Sequence, residues 1–222
     1  MKHPGKDLRA VVFDLDGTLV DTAGDFIPTV QTLRKEQGLA PMDEVLIRSS
    51  VSNGSRALVT LALSLEESDT GFEGHRQRLL SLYADILGSH ARLYPGLDAL
   101  IDELEMRQIG WGIATNKPRE YTLPLLEILG LRPAAVICPD DVFAPKPHPE
   151  SLHKACAVLQ CREQQTVYVG DHARDIEAGR RAGVYTIAAA YGYIEGGDSA
   201  DAWGADLVVD SSEALRAALL TH

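Results

Sequence analysis

Val11-Val12-Phe13-Asp14-Leu15-Asp16-Gly17-Thr18-Leu19-Val20-Asp21 is the stretch on which the reading of this chain turns. A short apolar run that reads as a buried strand ends in two aspartates separated by one residue. Side chains alternate along a strand, so Asp14 and Asp16 are expected on one side, and Gly17 lets the backbone turn where the strand stops. Two carboxylates at the C-terminal end of a strand suit a cation, a nucleophile and a proton-transferring partner. The chain has 32 acidic residues among 222, so an isolated Asp-x-Asp fits a solvated turn or a helix cap equally well. Its meaning depends on the residues that stand at the ends of the later strands.

Five further segments read as strands: Trp111 to Thr115, Ala134 to Cys138, Thr166 to Gly170, Tyr185 to Ala190 and Asp206 to Val209. Most are unbroken apolar runs rich in Val and Ile, as expected of strands covered on both faces of a parallel sheet. Helical patterns alternate with them over Leu97 to Arg107, Glu120 to Leu129, Pro149 to Leu159, Arg174 to Ala182 and Ser212 to Leu220. This rhythm predicts a doubly wound, Rossmann-like α/β sheet. It breaks between Thr22 and His90, where four helical stretches are predicted (Ile27 to Gln37, Met42 to Ser49, Ser55 to Leu65 and Glu73 to Leu87) and no strand. The expected organisation is an α/β core of residues 1–21 and 91–222 with an all-helical subdomain, 22–90, inserted above the sheet's C-terminal edge. Pro95-Gly96 marks the return.

A formal charge of -11 argues against a nucleic-acid partner, since non-specific binding needs basic patches. No apolar run approaches the roughly 20 residues of a membrane span, and the basic Met1 to Lys6 segment precedes too short an apolar stretch for a signal peptide. The cytoplasm is therefore the expected location. Cys138, Cys156 and Cys161 lack paired zinc-ligand spacing and read as packing residues. No apolar surface stripe demands a partner chain, leaving a monomer or a homodimer.

Ligands of an open parallel sheet bind outside the carboxyl ends of its strands. Thr115-Asn116-Lys117-Pro118 follows the second strand, and a hydroxyl, an amide and N–H groups at a helix entrance make a phosphate cradle, with ordinary N-capping as the alternative. Lys146 lies between prolines in Pro145-Lys146-Pro147-His148-Pro149. Its restricted backbone suits a fixed ammonium that neutralises phosphate and holds Asp14. Asp171 and Asp175 follow the fourth strand at i, i+4 and can face one point; a cap and a solvated helix face are the alternatives. Carboxylate pair, hydroxyl, lysine and second carboxylate pair thus occupy successive strand ends.

Across nearly its whole length the chain resembles the phosphatases of the haloacid dehalogenase superfamily. Asp14-Leu15-Asp16-Gly17-Thr18, Thr115-Asn116, Lys146 and Gly170-Asp171 with Asp175 resemble that family's four motifs. The helical insert resembles the cap of the phosphoglycolate-phosphatase-like branch. Within it, Val51 to Leu58, Tyr191-Gly192-Tyr193 and Trp203 to Asp206 are similar to segments of bacterial N-acetylmuramic acid 6-phosphate phosphatases. The resemblance implies a phosphomonoester hydrolase in which Asp14 attacks phosphorus, Asp16 serves as acid and then base, and Thr115, Asn116 and Lys146 bind phosphoryl oxygens. It implies Mg2+ held by Asp14, Asp171, the Asp16 backbone carbonyl and Asp175, and a small carboxylate-bearing phosphate ester as substrate. Ser52, Asn53, Gly54 and Arg56 open a cap helix and are the candidate specificity segment; Arg56 suits a substrate carboxylate or a plain surface position. His172 stands where many relatives carry Ser, and is expected at the rim of the site.

Two other functions share these features. A phosphosugar mutase of the β-phosphoglucomutase type would return the phosphoryl group to a sugar hydroxyl. A phospho-accepting receiver also uses acidic residues, Mg2+, a hydroxyl and a lysine, but it needs no large helical insert.

Overall fold

In chain order the strands are β1 (Ala10–Phe13), β2 (Val20–Asp21), β3 (Arg92–Leu93), β4 (Gly110–Ala114), β5 (Ala135–Ile137), β6 (Thr166–Gly170), β7 (Tyr185–Ala189) and β8 (Leu207–Val209). The structure is a computed structural model and describes residues 3–220. All of β1 is buried, and its side chains divide by parity. Val11 and Phe13 join one apolar cluster, with Leu97, Leu100 and Leu215; Val12 joins another, with Leu152, Ala155 and Ala178. Val167 and Val169 against Tyr168 repeat the division in β6. Strands covered on both faces produce this pattern, which is why their sequences are apolar throughout rather than alternating.

Six strands form one parallel sheet in the order β5-β4-β1-β6-β7-β8. From β1 the chain moves outward through β4 and β5, then returns to the other side of β1 for β6, β7 and β8. The resulting crevice at the carboxyl ends gathers the segments that follow β1, β4, β5 and β6. Helices α5 (Leu97–Met106), α6 (Arg119–Ile128) and α9 (Ser212–Leu220) contribute to the first cluster, and α7 (Glu150–Val158) and α8 (Ala173–Ala182) to the second. The expected strands and helices of the core are present, with no end displaced by more than one residue.

Helices α1 (Ala23–Glu36), α2 (Glu44–Ser50), α3 (Gly54–Leu63) and α4 (Phe72–Ile86) occupy the interval between β2 and β3. They enclose their own cluster, which includes Phe26, Val30, Leu33, Ile47, Leu58, Phe72, Leu79 and Tyr83, and Tyr193 enters it from the core. Helix α1 starts four residues before the sequence predicts and runs through Pro28. Proline removes one hydrogen bond there, yet burial of Phe26, Thr29 and Val30 on either side outweighs its helix-breaking tendency. The antiparallel pair β2–β3 is also absent from the expectation, because two residues carry no periodic signal; it joins the outgoing and returning chains through Val20↔Leu93 and Asp21↔Arg92. Buried Asp25 reinforces this junction by accepting the Gly88 and His90 N–H groups, each at 2.7 Å.

Candidate active site

Asp14 directly follows β1, with its N–H donating to Val169 of β6 at 2.8 Å. The Lys146 ammonium lies 2.8 Å from Asp14 Oδ1 and 2.7 Å from Asp175 Oδ1, and its side chain is 1% exposed. Asp14, Asp171 and Asp175 each offer a carboxylate oxygen within 4.8 Å of the others. Asp171 is held from three directions: Oδ1 accepts from Thr18 Oγ1 at 3.0 Å, and Oδ2 accepts from the Tyr193 N–H at 2.9 Å and Ser52 Oγ at 3.0 Å. This closeness explains Gly17. At φ +82° a Cβ on residue 17 would stand 2.1 Å from Asp171 Oδ2, so both the turn and the carboxylate exclude a side chain.

Asp171 and Asp175 face one point as expected, and neither alternative, a cap at Asp171 or a solvated face at Asp175, describes them. His172, not Asp171, caps α8, its ring accepting from the Arg174 N–H at 3.1 Å. Asp175 completes the reciprocal arrangement by accepting the His172 N–H at 3.1 Å while its other oxygen meets Lys146 and the Tyr168 hydroxyl. It is buried completely, so it lies on no solvated helix face.

Three carboxylates share this region with one buried ammonium, and the protonation of Asp14 and Asp171 reflects the imbalance. Burial pushes Asp14 up to about 6, against the pull of Lys146 and with a further push from Asp175. Burial, then repulsion from Asp14 and Asp175, pushes Asp171 up to about 8. Burial works against the Lys146 charge, but the Asp14 and Asp175 carboxylates outweigh it and raise its pKa. A hard divalent cation fits this donor set: the ligands are oxygens, they converge, and the cluster carries more negative charge than its lysine offsets.

Asp16 does not share that cluster. Its carboxylate accepts from Thr22 Oγ1 at 2.7 Å and pairs with Lys117 Nζ at 3.0 Å, so the two aspartates after β1 diverge toward separate lysines. Strand alternation does not apply to them, because the strand ends at Phe13 and Asp16 already lies in the turn. The sequence alone assigns Lys117 no role. Its nitrogen sits 5.1 Å from the Phe26 ring centroid and 4.6 Å from that of Tyr83, both on cap helices. The available signal is its position: like Lys146, it is a lysine directly before a proline in the segment after a strand. Thr115 Oγ1 accepts the Lys117 N–H at 3.1 Å, while the Asn116 side chain exchanges two 3.0 Å hydrogen bonds with the Lys146 backbone.

A cavity of about 570 Å³ opens over these groups, bounded by Asp14, Asp16, Thr115, Lys146 and Asp175 below and by cap residues above. Ser52, Asn53, Gly54 and Arg56 all line it. Ser52 reaches Asp171, and Asn53 Oδ1 accepts from Arg174 at 2.9 Å and lies 3.2 Å from His172 Nε2. Burial, then the Arg174 charge, lowers the pKa of that histidine. Arg56 is held by Glu67 and Glu73.

The sheet, the helices inserted after its first strand and the buried acidic cluster define a doubly wound, Rossmann-like core with an acidic site under a helical cap. The haloacid dehalogenase-like hydrolase family model matches residues 11–189, and the chain belongs to that family. It is 44% identical over 211 residues to the N-acetylmuramic acid 6-phosphate phosphatase of Pseudomonas putida, covering 94% of this chain and 95% of the relative. A phosphoglycolate phosphatase of Xanthomonas campestris is 38% identical over 209 residues, with 93% and 94% covered. In fold the chain is similar to the crystal structure of a predicted phosphoglycolate phosphatase from Haemophilus somnus, with a TM-score of 0.84, 24% identity and 97% of both chains covered. Among the described residues no helix is long and apolar enough to cross a membrane.

Proposed function

We propose that this protein is a Mg2+-dependent phosphomonoester hydrolase and that N-acetylmuramic acid 6-phosphate is its preferred substrate. The observation that carries the chemistry is the convergence of Asp14, Asp171 and Asp175 at the sheet's carboxyl edge, with Lys146 between Asp14 and Asp175. Asp14 attacks phosphorus in line, forming an aspartyl-phosphate as the P–O bond to the sugar breaks. Asp16 gives its proton to the departing oxygen, then takes one from the water that hydrolyses the aspartyl-phosphate. Lys146, the Thr115 hydroxyl and the Asn116 N–H hold the phosphoryl oxygens, and the Asn116 side chain keeps the Lys146 backbone in place. When bound by the Asp14, Asp171 and Asp175 carboxylates and the Asp16 carbonyl, Mg2+ supplies the positive charge that offsets carboxylates and phosphoryl oxygens together. The helices between residues 22 and 90 act as a cap subdomain over a core of 1–21 and 91–222, covering the reacting groups and selecting the ester.

Size supports the sugar phosphate over phosphoglycolate. A two-carbon ester would leave most of the roughly 570 Å³ cavity to water, whereas a substituted hexose phosphate fills such a volume. The Pseudomonas putida relative, which bears the sugar phosphate's name, is also more similar to this chain than the Xanthomonas campestris one. Phosphate release from N-acetylmuramic acid 6-phosphate, 2-phosphoglycolate and several hexose 6-phosphates, with Asp14→Asn as control, tests the reading. The highest kcat/KM is expected on the muramic acid ester, with no phosphate from the variant. Isomerised sugar phosphate in place of inorganic phosphate, or a preference for 2-phosphoglycolate, would overturn it.

A further inference from the structure

We infer that Arg76, together with Ser55, is the subsite that reads the substrate's carboxylate; the inference rests on the proposed sugar phosphate substrate. Three guanidinium groups line the cavity, and their engagement differs. Arg56 spends Nη1 on Glu67 and Nη2 on Glu73, at 2.9 and 3.3 Å, and its side chain is 48% exposed. Arg174 gives Nη1 to the Ser52 carbonyl and Nη2 to Asn53 Oδ1, tying the cap loop to the core. Arg76 donates Nε to Ser55 Oγ at 3.0 Å and pairs Nη1 with Glu73, while its Nη2 has no hydrogen-bond partner among the described residues. Its side chain is 27% exposed, the more sheltered of the two arginines that share Glu73.

Nε and Nη2 form one edge of the guanidinium fork, the geometry that receives a carboxylate. Ser55 Oγ already accepts from Nε, so its own hydroxyl proton remains to be donated. A carboxylate oxygen seated at that edge accepts from Nη2 and from the serine hydroxyl together. Glu73 does not compete strongly, because it is half exposed and its ion pairs are screened by water. The other cations of the cavity, Lys117 and Lys146, are engaged by Asp16 and by Asp14 with Asp175 at the phosphoryl end. A substrate with phosphate at one end and carboxylate at the other therefore meets two separate cationic stations, and Arg76 is the distal one.

N-acetylmuramic acid 6-phosphate and N-acetylglucosamine 6-phosphate differ by the lactyl ether that carries the carboxylate, so the ratio of their kcat/KM values isolates this contact. Arg76→Gln is expected to lower the ratio roughly ten- to a hundredfold, chiefly through KM for the carboxylate-bearing ester. Arg76→Lys keeps the charge without the fork and is expected to recover only part of the ratio. Circular dichroism and thermal melting establish that both variants are folded. An unaltered ratio in Arg76→Gln, an equal loss in Arg56→Gln, or a wild-type ratio near one would overturn the inference while leaving the hydrolase reading intact. Wild-type enzyme that hydrolyses neither sugar phosphate would sink the substrate reading and the inference with it.

Discussion

Lys117 Nζ lies 3.0 Å from Asp16 Oδ1 in a pocket where the lysine side chain is 5% exposed and the aspartate 16%. The lysine approaches from the segment after β4, the aspartate from the turn after β1, and the Phe26 and Tyr83 rings close over the ammonium from the cap. Burial opposes the Lys117 charge, but Asp16 and Tyr83 outweigh it and raise its pKa. Asp16, the proposed general acid, is thus paired with a core lysine that the cap covers.

Lys117→Met is expected to leave Asp16 poorly placed, lowering kcat on a sugar phosphate, whose leaving oxygen needs a proton, by roughly tenfold or more. Turnover of p-nitrophenyl phosphate, whose leaving group hardly needs one, should fall far less, and Asp16→Ala should show the same asymmetry. Equal losses on both esters would remove Lys117 from this positioning role.

Lys146→Met leaves Asp14 and Asp175 buried without the ammonium between them. Breaking a buried pair in this way costs about 3–5 kcal/mol, more than an exposed ion pair contributes. Urea denaturation in metal-free buffer should register that loss, and phosphate release should disappear. Native stability in the variant would contradict the assignment of this lysine as the cluster's counter-charge.

Divalent metal should stabilise the protein more at high pH than at low. Asp14 and Asp171 hold protons in the metal-free fold up to about 6 and about 8, above the 3.8 of an ordinary aspartate. Between these values the folded state binds more protons than the unfolded, so stability falls as pH rises through the window. A bound cation displaces those protons and removes the repulsion. Melting curves with EDTA or MgCl2 should show a larger metal-induced increase in Tm near about pH 8 than near about pH 5. An increase independent of pH would refute the coupling.

Cys161 should alkylate well below the pH at which an ordinary thiol reacts. The neighbouring Cys156 thiol and the Thr166 hydroxyl lower it to about 6, while Cys161 and burial raise Cys156. The thiolate is the reactive form, so iodoacetamide labelling of Cys161 should level off near neutrality and be absent from the buried Cys156. Peptide mapping across a pH series measures both rates; a plateau near about pH 9 would disprove the shift.

Much of the core is legible because its signals are local. Apolar runs such as Val167 to Val169 mark strands buried on both faces, and the chemistry-bearing residues lie in the segments that follow them, directly so for Asp14 and Asp171. Asp14, Lys146, Asp171 and Asp175 can therefore be read one strand end at a time. The start of α1 is hidden because Gly24 and Pro28 carry the local signature of a break, while the burial that overrides it comes from other cap helices. Asn116 reads as a phosphate contact through its N–H, and no local pattern reveals that its side chain clamps the backbone of residue 146, thirty positions away. Arg56 and Arg76 look alike as letters; only their partners distinguish them.

The amino-acid sequence alone determined the parallel sheet, the helical insertion after its first strand and the set of acidic and basic residues at the strand ends. These follow from periodicity and from the short distance between a strand and its own loop. Tertiary structure decided which charge meets which: Lys146 with Asp14 and Asp175, Lys117 with Asp16, and Arg76 with Ser55. Such pairings depend on distances of a few ångströms between segments far apart in the chain. Packing of the sheet and cap sets those distances, and with them the energy of every buried charge.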